Sequence, residues 1–201
     1  MERVKAFQHQ RFARTYFDLI GDERYRDTTK FFLEEIYGPG DFSKRDTQFA
    51  RVVPALVRLF PGEIVETVAG LAELHALSEQ LDTAMGRVLG PAVLDGLKYG
   101  ELWRAVGSPL ARCKQIDLIV AVGSALDSFT RKAVLRHSLR LMRRPAQAAG
   151  LGSLQAFLER GFDTFRAMGG AKDFLAVISS RERALAVRLF NGGAAEGNPE
   201  V

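Results

Sequence analysis

The stretch from Phe31 to Pro61, FFLEEIYGPGDFSKRDTQFARVVPALVRLFP, constrains the fold more than any other part of the chain, because two helical patterns meet in it across a Gly-Pro-Gly turn. Phe31, Phe32, Leu33, Ile36 and Tyr37 form one apolar helical face. Gly38-Pro39-Gly40 ends that helix near Tyr37, since glycine tolerates positive φ and proline cannot continue the ladder. Beyond the turn Asp41 or Ser43 can cap a second helix, and Ser43 with Asp46 approximates a capping box. Phe49, Val52, Val53, Leu56, Val57 and Phe60 give this helix a buried face over 43–60, with a kink expected at Pro54. Asp41 and Arg45, four apart, are spaced to pair, as are Asp46 and Arg51 where the turn is irregular.

The same grammar repeats along the chain. Val4, Phe7, Phe12, Tyr16, Leu19 and Ile20 mark a first helix ending at Gly21, after which Asp22 can cap the next. Ile64, Val68, Leu71, Leu74, His75, Leu81, Met85, Val88 and Leu89 form the longest pattern, closed by Gly90-Pro91 and long enough to be a central helix. A shorter helix runs to Gly107, and Ser108-Pro109 restarts the pattern as N-cap and first helical residue. The run 116–126, IDLIVAVGSAL, has no partner strand, so it reads as a helix buried on most sides, with Gly123 allowing close packing. Asp127 or Ser128 is expected to cap a separate helix to about Arg143, ended by Pro145. Two further stripes, from Leu151 to Gly169-Gly170 and from Phe174 to Leu189, complete the pattern. The expectation is an all-α single domain of eight or nine helices over residues 1–190, bundle-like or orthogonal, with a flexible tail over 191–201.

Two stretches, FFLEEIYGPGDFSKRDTQFARVVP and RPAQAAGLGSLQAFLERGF, resemble an uncharacterised family of bacterial all-helical proteins of about this length. The resemblance implies a helical, cytoplasmic bacterial protein. It brings no reaction, cofactor or ligand, and so it transfers no functional residue.

An apolar fraction of 47% with 26% charged residues is that of an ordinary globular protein. The single cysteine, Cys113, rules out an internal disulfide and fits a cytoplasmic setting; it reads as a small core residue. The N-terminus lacks an apolar signal core, and no run is long enough to span a bilayer.

Function is less legible, and a non-enzymatic binding module is the expectation. No Asp or Glu occurs from Ser128 to Leu158, where Arg131, Lys132, Arg136, Arg140, Arg143 and Arg144 lie. Without those six, a chain of 28 basic and 24 acidic residues would be slightly acidic, so the excess is local. Lys132, Arg136, Arg140 and Arg143 or Arg144 share a helical face that suits an anionic ligand or an acidic protein. Nucleic-acid binding is not supported, because no recognition element flanks the stripe. His75 beside an apolar face offers a pocket residue for a small apolar ligand or haem, although no cofactor is assigned. Asp117 interrupts an apolar run; if buried it would need a partner or a raised pKa. It joins Asp41, Arg45, Asp46 and Arg51 as a possible polar site, and those four alone would serve an enzyme of unknown class. Many apolar helical faces favour a homodimer.

Overall fold

Eleven helices occupy the described part of the computed structural model, residues 1–36, 47–53 and 61–195; nine of them have seven residues or more, and no strand accompanies them. They are α1 (Glu2–Thr15), α2 (Phe17–Gly21), α3 (Arg26–Phe31, continued by a π-helical turn Phe32–Ile36), α4 (47–53), α5 (Gly62–Leu89), α6 (Gly96–Val106), α7 (Pro109–Thr130), α8 (Ala133–Leu141), α9 (Arg143–Ala148), α10 (Gly152–Ala167) and α11 (Lys172–Phe190). The excess over nine comes from short pieces such as α2 and α9, which periodicity cannot resolve from their neighbours. None of the described helices is long and apolar enough to cross a membrane.

The hub is α7 rather than the longer α5. It packs against α5, α8, α10 and α11, and it starts as its sequence dictates. Ser108 Oγ accepts a hydrogen bond from the Ala111 amide at 3.1 Å, and Pro109 occupies the first helical position. Gly123 brings α11 close: a Cβ there would lie 2.6 Å from Leu175 Cδ2. The helix runs through Asp127 and Ser128 without a break, contrary to the expected cap. Asp127 instead accepts from the Ala171 amide through Oδ1 (3.1 Å) and pairs with Arg131 through Oδ2 (2.6 Å), which ties α7 to the start of α11. Nor does Pro145 end a helix. It lies in the first turn of α9, where its missing N–H leaves no acceptor unserved.

Gly90-Pro91 ends its helix as expected, whereas Asp22 does not cap α3, whose N-cap is Tyr25 without a side-chain bond. Gly90, at φ 53°, closes α5, and Asp95 caps α6 through the Lys98 amide. Asp22 accepts from the Arg24 amide (2.8 Å), an Asx turn leading into α3. The tail expected from Asn191 is anchored over 191–195: the Ala195 amide donates to the Gly96 carbonyl (3.0 Å), and Ala195 is buried.

Two apolar clusters build the core. One joins Phe12, Tyr16, Leu19, Phe165, Phe174 and Ile178, and the other joins Val4, Met85, Tyr99, Trp103, Leu185 and Leu189. Between them lies a band of buried polar side chains.

Candidate functional site

That band surrounds a cavity of about 260 Å³ whose wall draws on both clusters. Helical spacing explains who faces it. On α5, Leu71, His75, Ser78 and Asp82 follow one another at intervals of four, three and four residues. Lys5, Gln8 and Phe12 repeat the rule on α1, and Arg112, Gln115, Ile116 and Ile119 on α7. Phe49, Leu154 and Phe157 add apolar surface. Gln48 fixes α4 against this wall, its Oε1 accepting from the Leu154 amide at 2.9 Å in the first turn of α10.

The polar groups are of three kinds. Arg11 and Glu182 form a bidentate pair at 2.9 and 3.0 Å, with the Tyr16 hydroxyl donating to the same carboxylate at 2.7 Å. Burial opposes the Arg11 charge, but the facing Glu182 more than offsets it, so Arg11 is held firmly protonated. Lys5 is likewise paired with Glu79.

Asp82 is different. Its hydrogen bond comes from Gln8 Nε2 (2.9 Å), which also reaches the Tyr99 hydroxyl (3.3 Å). Among the described residues no cation lies within ion-pair distance of it. Burial pushes its carboxyl above the ordinary aspartate value, with Gln8 and the charge of Arg112 opposing only in part. Burial also raises the Tyr99 hydroxyl.

Arg112 is the third kind, a buried cation with no carboxylate in ion-pair contact among the described residues. It is 2% exposed, and its guanidinium lies 3.6 Å from the Trp103 ring centroid. Nη1 donates to Gln115 Oε1 (3.1 Å), itself held by a Gln115–Ser78 bond of 2.7 Å, and Nη2 reaches only the thioether of Met85 (3.4 Å). Nε is buried without an acceptor, as is Trp103 Nε1. Among the described residues no carboxylate comes within 4 Å of Arg112. Burial disfavours its charge and lowers its pKa, yet a guanidinium stays protonated in proteins.

The residues singled out by sequence fall in three places. His75 does line the cavity, at its exposed rim, and it is engaged within the chain. Asp117 does not reach the cavity: it is exposed and paired with Arg183 on α11. Cys113, expected in the core, is exposed. Asp41, Arg45 and Asp46 lie outside the described residues, while Arg51 donates to the Ala149 carbonyl at 2.7 Å.

The basic stripe is largely neutralised. Lys132 pairs with Glu63 (3.0 Å), Arg136 with Asp163 (3.2 Å) and Arg143 with Glu159 (2.6 Å). The acids come from α5 and α10, which sequence distance concealed. Arg140 and Arg144 stay exposed with no acid within ion-pair distance among the described residues.

Sequence reasoning missed Arg11, Asp82, Arg112 and Glu182. One signal was present: each is a charged residue set at the spacing of a buried stripe, as Glu182 is between Ile178 and Leu185. Among the described residues, no cluster of three or more His, Cys, Asp or Glu could hold a metal ion.

A family described as "Domain of unknown function (DUF8198)" matches residues 1–196 of the chain. Neither a curated protein nor a solved structure matches it.

Proposed function

We propose, for a chain that belongs to this family of unknown function, that it is a receptor for one small organic molecule held in the cavity between the two core clusters. The observation that carries the reading is the cavity itself: about 260 Å³ with a mostly apolar wall and a few convergent, buried polar groups. Polar groups that converge on a mostly apolar cavity fix the orientation of a bound molecule. A haem macrocycle is a poor candidate for this volume, whereas a compact molecule suits it. Native mass spectrometry of the protein purified from its own host tests the reading. The expected result is a single small-molecule increment on the protein mass, lost when Ala72 at the rim is changed to Trp. A ligand-free spectrum from gentle desorption overturns it.

The basic face supports a second, weaker reading. Helix α8 buries no residue fully, and Val134, Leu141 and Met142 are exposed beside Arg140 and Arg144. These features suit docking of an acidic protein, which Arg140→Ala with Arg144→Ala would weaken and raised salt would reverse. A cytoplasmic homodimer also belongs to the proposal. Exposed Phe17, Val93 and Leu110 are its apolar support, and light scattering after size exclusion reads the mass.

A further inference from the structure

We infer that the cavity takes an organic monocarboxylate, its carboxylate held by Arg112 and its apolar body by the α5–α7–α10 wall. The inference rests on the receptor reading above and names the chemistry of its ligand. It begins from a count of charges. Arg11 is matched by Glu182 and Lys5 by Glu79, whereas Arg112 has a neutral amide, a thioether and an aromatic face for neighbours. A buried cation with no carboxylate in contact is a costly feature for a core to carry.

Structural charges of this kind are normally paired in the chain itself, as Arg11 is 2.9 Å from its carboxylate. The nearby acid, Asp82, does not supply the missing partner, since no ion pair joins the two. Three of the five N–H groups of Arg112 have no acceptor in the described protein. Trp103 lies against the guanidinium, whose remaining N–H groups can donate to a planar, delocalised anion.

The same count limits the ligand to one charge. A dianion such as a phosphate monoester would bring a second negative charge into a cavity with one unmatched cation and with Asp82 and Glu79 on its wall. Phe12, Leu74, Ile116, Ile119, Leu154 and Phe157 offer the remainder of the molecule hydrocarbon and aromatic contact. The ligand is therefore an amphipathic acid with its charge at one end.

Isothermal titration calorimetry with matched acids and amides tests this. The probes are octanoate and 4-phenylbutyrate, with octanamide and 4-phenylbutyramide as neutral counterparts of the same shape. Wild type is compared with Arg112→Gln and Ala72→Trp. The expected result is that the acids bind about tenfold or more tightly than their amides, and that Arg112→Gln removes the preference. Ala72→Trp should weaken all four. Equal binding of acids and amides, unchanged by Arg112→Gln but weakened by Ala72→Trp, overturns the carboxylate inference and leaves the receptor reading intact. Binding by neither class, or binding indifferent to Ala72→Trp, overturns the receptor reading. If Arg112→Gln does not fold, Arg112→Lys replaces it: loss of most of the preference supports the guanidinium fork, and full retention overturns it.

Discussion

Glu182 serves two donors at once, and its removal shows how the cavity wall is held. Arg11 and Glu182 are both almost fully buried, so deleting either charge strands the other in a desolvated site. Arg11→Met and Glu182→Gln should each cost about 3–5 kcal/mol in urea unfolding. The double variant should cost clearly less than the two combined, because it leaves no orphaned charge. Additive losses would show that the two side chains act independently. Arg112 answers the opposite way. It has no matching charge to strand, so Arg112→Gln is expected to leave the unliganded protein as stable as wild type or more stable.

At the scale of helices, the glycine in α7 decides how closely α11 approaches. Gly123→Ala places a methyl group 2.6 Å from Leu175 Cδ2, in a contact where Leu175 is itself buried, and should cost about 1–3 kcal/mol. Leu175→Ala in the same chain should recover part of that loss, whereas no recovery would place the strain elsewhere. The element level was also the most legible. Ser108-Pro109, Gly90-Pro91 and Gly123 were readable because each acts on the backbone beside it or through a missing side chain. Asp127 was misread because one of its oxygens serves Ala171, 44 residues away, rather than the helix it was expected to start. Lys132, Arg136 and Arg143 looked unpaired for a similar reason. Their acids sit on α5 and α10, and periodicity reveals which face a residue occupies without revealing what faces it. Asp82 and Arg112 were concealed further, because a charged residue on an apolar stripe reads as a boundary position until neighbouring helices close over it.

For the whole molecule the titrating carboxylates pull in opposite directions. Asp18, bonded to Arg181, and Glu159, bonded to Arg143, are held below their ordinary values of 3.8 and 4.5, so the stability they contribute is lost as pH falls through their depressed values. Asp82 is raised above 3.8, so the folded chain holds a proton that the unfolded chain releases. Its contribution is complete below about pH 4 and disappears as pH rises through the raised value. Urea midpoints across the pH range should therefore decline on both sides. Asp82→Asn, whose carbonyl still accepts from Gln8, should abolish the decline toward neutral pH and leave the acid-side loss in place. A variant curve parallel to wild type above pH 4 would remove Asp82 as the source. The Arg11–Glu182 pair has one more consequence, for synthesis rather than stability. The two residues are 171 positions apart, and the cavity they border is walled by the first helix and the last. A ribosome must translate residue 182 before the carboxylate that Arg11 awaits exists. Until then a nascent chain carries an unmatched guanidinium and an open groove, so the cavity wall closes late and all at once.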